Sequence, residues 1–109
     1  MKRQLVVSEC AAADLREIWL YSFRNWGEAL ADRYLDELDT GLRGCGARPE
    51  RGRRRDEIRP GYCSVHIRKH VAFYTFTPAA VLVQRVLHGS MDPDRHLDGA
   101  EEPPDEHER

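Results

Sequence analysis

The feature that most constrains this chain is a change of hydrophobic period near its middle. In the first half, apolar residues recur at helical spacing; from about residue 64 they alternate every second residue. A helix presents an apolar stripe and a sheet an apolar face, and neither can bury its surface alone. Such a chain folds as helices laid on a sheet. In the helical half, Leu15, Ile18, Trp19 and Ser22 share one stripe, with Phe23 and Trp26 following. Ser8 precedes the run and reads as its cap, because a serine hydroxyl can accept from a free first-turn amide. Gly27 breaks the pattern, as a residue just past a helix end often does. Leu30, Tyr34 and Leu38 form a second stripe flanked by Ala31, Leu35 and Leu42, and Gly44 and Gly46 read as its end. The short break makes the two helices antiparallel neighbours.

The remainder reads as strands. Residues 3–7 form a short first strand. The segment Ala47–Pro60 is polar, arginine-rich and punctuated by Pro49, Gly52 and Pro60, so it reads as a connection holding one short edge strand. Val65 and Ile67 then alternate with Ser64, His66 and Arg68, residues 71–77 make another strand, and residues 80–88 make the most hydrophobic one. Short connections force these last strands to pair antiparallel. The predicted fold is α+β in the order β-α-α-β-β-β: a helical hairpin on an antiparallel sheet, with a short helical turn at 94–97. Residues 1–97 make one domain. Residues 98–109 lack a large apolar anchor and read as an acidic, disordered tail.

Composition excludes several function classes. A chain of 109 residues is one small domain with one core. No apolar run approaches the ~18 residues of a membrane span. Ser8, Glu9 and Asp14 interrupt the N-terminal apolar stretch, so no signal peptide is expected and the reading is cytoplasmic. Three cysteines with no CxxC read as reduced thiols rather than a zinc site. The net charge of −2 hides a split: residues 1–47 carry −2, residues 48–97 carry +5 and residues 98–109 carry −5. A cationic second half favours anionic partners.

The chain has no GxGxxG, Walker A, GxSxG or HExxH pattern, so no cofactor is expected. His88, Asp92, Asp94 and His96 crowd around Pro93, but ligand identity without convergence does not make a metal site. His88 ends a buried strand beside Arg85 and has the chemistry of a general acid or base; the plainer reading is a backbone-bonded turn residue. The run Arg51, Arg53, Arg54, Arg55 and Arg59 is partly neutralised by Glu50, Asp56 and Glu57. Trp19, Phe23, Trp26 and Tyr34 put four large rings on one hairpin. Aromatics at helical spacing pack inward by default. Four rings are more than so small a core needs, which leaves some to line a groove for an apolar partner segment.

In order along the chain, these residues match a known pattern. Ala11, Asp14, Leu15, Ile18 and Tyr21 stand at the spacing Ala-x-x-Asp-Leu-x-x-Ile-x-x-Tyr. Trp26-Gly27, then Ala31, Tyr34 and Leu38, follow. Pro49, Gly52 and Arg53 give Pro-x-x-Gly-Arg, Gly61 follows, and His70, Phe73 and Tyr74 give His-x-x-Phe-Tyr. Residues 85–92 read Arg-Val-Leu-His-Gly-Ser-Met-Asp. Over about residues 1–97 the chain resembles the ParE toxins of the RelE/ParE superfamily. The resemblance implies a toxin of a type II toxin–antitoxin pair that poisons DNA gyrase by binding. It implies neutralisation by a ParD-type antitoxin in a hetero-oligomer, with no catalytic residue, no metal and no sequence-specific nucleic-acid contact. On this reading Trp19, Phe23, Trp26 and Tyr34 form the antitoxin groove, and Arg59, Arg85, His88, Met91 and Asp92 lie on the target surface. Cys63 and Thr75 stand where the family usually has arginine, which implies less positive charge on the sheet. Two alternatives remain: a RelE-type messenger ribonuclease with His88 as acid or base and Arg85 or Arg53 as phosphate clamp, and a detoxified relative that only binds antitoxin.

Overall fold

The computed structural model describes residues 3–91 and Pro93; Asp92, the turn expected at 94–97 and the acidic tail lie outside the described residues. The elements are β1 (Gln4–Val7), α1 (Glu9–Trp26), α2 (Glu28–Ala47), a 3-10 turn (Pro49–Arg51), β2 (Arg53–Arg54), β3 (Cys63–Ile67), β4 (His70–Phe76) and β5 (Ala80–His88). Ser8 caps α1 as its chemistry requires: its Oγ accepts from the Ala11 amide at 3.0 Å. Gly27 makes the break between the helices at φ 92°, a conformation that only glycine adopts without penalty. The second helix runs through Gly44 and Gly46 to Ala47, further than the sequence pattern suggested. Gly46 does not end it but lies over β1, where a Cβ at this position would make ordinary contact with Leu5 at 3.5 Å.

The five strands form one sheet in the order β1-β5-β4-β3-β2. The β2–β3, β3–β4 and β4–β5 pairs are antiparallel, but β1 pairs parallel to β5, so the sheet is mixed. The helical hairpin and strands β2–β4 all lie between β1 and β5 in the chain, so the connection far exceeds the dozen residues that a parallel pair needs. β1 covers only Ala80–Val83 of β5. Beyond that point side chains and the α1 start take over the open edge. The Ser8 amide donates to the Val83 carbonyl at 3.0 Å, Ser8 Oγ donates to the Gln84 carbonyl at 3.0 Å, and the Val86 amide donates to Asp14 at 2.9 Å. A bulge lies in the middle of the same strand, where Phe73 opposes Arg85 and Tyr74 opposes Val83, leaving Gln84 over.

Alternation sorts the sheet residues onto two faces. On the helix side, Ile67, Ala72, Val83 and Val86 meet Ile18, Leu38 and Leu42 in the main core. Cys45, Cys63, Tyr74 and Val81 extend it toward β1. On the other side Tyr62, Val71, Phe73 and Leu87 form a second cluster, and Ile58 of the β2–β3 connection packs over it. That face is therefore partly covered by the arginine-rich connection. Positions 63 and 75 correct an expectation: Cys63 is 2% exposed and Thr75 7%, so neither stands on the sheet surface. Pro-x-x-Gly-Arg also acquires a reason. The Tyr74 hydroxyl donates to the Pro49 carbonyl at 2.7 Å, and a Cβ on Gly52 would collide with that hydroxyl. Among the described residues, no helix is long and apolar enough to cross a membrane.

Candidate functional site

A groove of about 710 Å³ opens where the C-terminal half of α1, the first turns of α2 and the β3–β4 turn meet. Its apolar wall is exposed: Tyr21 is 62% accessible, Trp26 58%, Leu30 45% and Met91 44%. Tyr21 and Trp26 support each other edge to face, with ring centroids 5.8 Å apart. Arg33, Arg68 and Lys69 bring positive charge to the same groove, and Glu17 and Glu37 bring negative charge. Patches of contiguous exposed apolar surface rimmed by charge mark interaction sites.

The basic turn is locally strained and is held by three contacts. Arg68 and Lys69 form the two-residue link between Ile67 and His70, and Arg68 sits at φ 60°. A left-handed non-glycine residue costs about 1–2 kcal/mol, so neighbouring contacts must fix it. Tyr34 Oη accepts from the Lys69 amide at 3.2 Å, Arg68 pairs with Glu37 at 3.0 Å, and the Gly89 amide donates to the Lys69 carbonyl at 2.9 Å. Tyr34 Oη also bonds His70 Nδ1 at 2.7 Å. His70 faces His88 across the β4–β5 pair, with ring centroids 5.4 Å apart. Burial, reinforced by His88, holds His70 below the ordinary histidine range, while Asp14 opposes the shift.

The structure divides the residues singled out from sequence. Trp26, Tyr34, His88 and Met91 line this one groove, so members of both the antitoxin set and the target set come together. Trp19 and Phe23 do not line it. They stack on each other at 5.1 Å, and Trp19 Nε1 donates to Asp32 of α2 at 2.8 Å. Arg85 faces inward to a partner: its Nε and Nη2 donate to the two Asp14 oxygens at 2.7 and 2.8 Å, and its side chain is 18% exposed. Arg59 lies in the β2–β3 connection, where its carbonyl accepts from the Tyr62 amide at 3.1 Å. Arg53 lies on β2, at the far edge of the sheet. The groove residues that sequence reasoning did not single out as site residues include Tyr21, Leu30, Arg33, Arg68, Lys69 and His70. The polar Arg68-Lys69 break between two alternating runs was the available signal for the basic turn. Among the described residues, no three His, Cys, Asp or Glu side chains converge as a metal-binding group.

Residues 5–93 match the family model described as the ParE toxin of the type II toxin–antitoxin system, parDE. Toxin ParE1 of Mycobacterium tuberculosis (strain H37Rv) is 41% identical over 98 residues, covering 89% of this chain and 100% of the relative. Toxin ParE1 of Caulobacter vibrioides is 36% identical over 91 residues, covering 84% of this chain and 94% of the relative. A solved structure titled as the chromosomal ParDE TA system from P. aeruginosa shares the fold, with a TM-score of 0.71 at 17% identity, over 80% of this chain and 96% of the other.

Proposed function

Because the chain belongs to the ParE toxins of type II toxin–antitoxin systems, we propose that it acts in the cytoplasm by binding rather than catalysis. Free toxin inhibits DNA gyrase, and a ParD-type antitoxin neutralises it by laying an amphipathic segment into the groove. The resulting assembly is a toxin–antitoxin hetero-oligomer. The observation that carries this reading is the groove itself, in which Tyr21, Trp26, Leu30 and Met91 remain exposed beside Arg33 and Lys69. A segment that folds on binding suits such a site, because it brings apolar anchors and acidic groups together only when ordered. A binding mode is further supported by Arg85. Its guanidinium is engaged by Asp14 and is not presented to a phosphate. The test is purified toxin with gyrase and relaxed plasmid. Inhibited supercoiling or accumulation of cleavage complex supports the reading, and unchanged supercoiling with no cleavage complex refutes it.

One observation favours a second reading, ribosome-dependent cleavage of messenger RNA. His88 contacts His70, and both line the groove with Lys69. Two imidazoles beside a cation are suitable groups for general acid–base chemistry on a phosphodiester. Under this reading, transcripts are cut in cells and His88→Ala abolishes both cutting and toxicity while leaving the fold intact.

A further inference from the structure

The chain leaves the sheet beside the groove. The Gly89 amide donates to the Lys69 carbonyl at 2.9 Å, the Met91 amide donates to the His88 carbonyl at 2.9 Å, and Lys69, His88 and Met91 all line the groove. Past residue 93, where the match to the family ends, the sequence turns acidic. Residues 98–106 read Asp-Gly-Ala-Glu-Glu-Pro-Pro-Asp-Glu: five carboxylates, no base, and a proline pair set between two acidic pairs. The groove carries the complementary chemistry. Three cations, Arg33, Arg68 and Lys69, stand against two carboxylates, Glu17 and Glu37, so with neutral histidines the lining is net positive. Arg68 is paired with Glu37, whereas among the described residues Arg33 and Lys69 form no ion pair. Beside them the exposed Tyr21 and Trp26 rings, packed edge to face, supply an aromatic wall. Aromatic grooves take up prolines, because a proline pair is already extended and loses little entropy on docking.

We propose that residues 98–106 of this chain occupy the groove when no partner does, with Pro103-Pro104 against Tyr21 and Trp26 and the flanking carboxylates on Arg33 and Lys69. Twelve residues separate Met91 from Pro103. That is a reach of up to roughly 40 Å extended and about 20 Å on average as a flexible chain. The tether makes docking intramolecular, so weak contacts suffice. Exposed charge pairs contribute little singly and are screened by salt, so occupancy is partial and falls as salt rises. The arginine-rich connection is the poorer seat: Arg54 and Arg55 are already paired with Asp56 and Glu57, and among the described residues no exposed large apolar side chain lies there. Docking does not depend on what else binds the groove. A consequence, which rests on the groove being the antitoxin seat proposed above, is competition: an occupancy between roughly one half and nine tenths weakens the antitoxin's apparent affinity about two- to ten-fold.

The test is ¹⁵N NMR of the full chain at low salt without antitoxin. Wild type is compared with a variant whose five carboxylates are neutralised (Asp98→Asn, Glu101→Gln, Glu102→Gln, Asp105→Asn, Glu106→Gln) and with Pro103→Ala/Pro104→Ala. The Trp26 indole N–H and the Lys69 and His70 amides are expected to shift in both variants. Raising wild type to about 0.5 M salt, where screening shortens to a few ångströms, moves them in the same direction. The Trp19 indole, which does not line the groove, stays in place as the internal control, and the shifts are the same after ten-fold dilution. No change at Trp26, changes centred on residues 51–59, or shifts that vanish on dilution, as docking into a second copy would give, overturn the proposal. Calorimetry with an antitoxin fragment then separates the two readings. Binding about two- to ten-fold tighter to the neutralised variant, with the difference lost at high salt, supports competition, and equal affinity overturns it. Binding to neither protein overturns the antitoxin reading, while the NMR comparison still decides the docking.

Discussion

The Asp14 carboxylate holds the Arg85 guanidinium through two hydrogen bonds of 2.7 and 2.8 Å, and one of its oxygens also accepts the Val86 amide at 2.9 Å. One side chain of α1 thus replaces, beyond the end of β1, the strand that β5 lacks on that edge. Both groups are mostly buried, with side chains 14% and 18% exposed. The pairing with Asp14 holds the Arg85 guanidinium above its ordinary range, mainly through the hydrogen bond.

Asp14→Ala leaves a largely buried guanidinium without its carboxylate and the Val86 amide without an acceptor. Removing one partner of a buried pair costs about 3–5 kcal/mol, and the partial exposure here puts the expected loss at the lower end. Urea denaturation of the two single variants and the Asp14→Ala/Arg85→Ala double variant checks this. A coupling of at least ~1 kcal/mol is expected for groups in direct contact. Loss of toxicity in Arg85→Ala is expected to follow loss of stability, not loss of a target contact.

Gly52→Ala places a methyl group against the Tyr74 hydroxyl, which is fixed by its bond to the Pro49 carbonyl. Overpacking of this kind costs about 1–3 kcal/mol. Thermal unfolding is expected to show a lower Tm for Gly52→Ala and only partial recovery when Tyr74→Phe is added, since that change removes the colliding hydroxyl but leaves the ring carbon 2.8 Å from the new methyl.

The cysteines differ in burial. Cys45 is 6% exposed and Cys63 2%, while Cys10 is less buried. Desolvation, reinforced by Cys63, pushes the Cys45 thiol up to about 11, and burial raises Cys63 as well. A disulfide-exchange reagent at pH 8 is expected to titrate Cys10 in the native protein and all three thiols only after unfolding. The unfolded chain releases the Cys45 proton in the ordinary thiol range, about 8.5. Stability from this group is therefore fully present below that range. It is lost as pH rises from there through about 11, a trend that Cys45→Ala should lessen, the raised Cys63 thiol contributing in the same direction.

Much of the fold was legible because each half repeats one period. Ser8, Gly27 and residues 80–88 mark the cap, the break and the longest strand where they are observed. The parallel pairing of β1 was not legible, because its partner lies 76 positions away and four residues carry no directional signal. The site was harder to read. Trp19, Phe23 and Trp26 share one side of an ideal helix, but their side chains diverge. Trp19 is drawn to Asp32 and Phe23 stacks on it, while Trp26 in the last turn folds back on Tyr21. Likewise, the motif position of Arg85 suggested a surface cation, and only the tertiary contact with Asp14 reveals it as an internal tie.

The division of the aromatics separates two roles. Trp26→Ala removes an exposed groove anchor and is expected to weaken antitoxin binding by about 2 kcal/mol or more with little change in stability. Trp19→Ala breaks the Asp32 bond and the stack on Phe23, so it should lower stability and leave the groove wall in place. Calorimetric titration with the antitoxin, alongside urea unfolding of both variants, distinguishes them.

The most direct test is relief of gyrase inhibition by a fragment of the antitoxin that carries its proposed groove-binding segment, measured on wild-type toxin and on Trp26→Ala. The fragment is expected to restore supercoiling with wild-type toxin, and about thirty-fold more fragment or greater is expected to be needed with Trp26→Ala, as loss of an interface anchor worth about 2 kcal/mol implies. Equal restoration with both proteins would contradict the groove as the seat of the antitoxin.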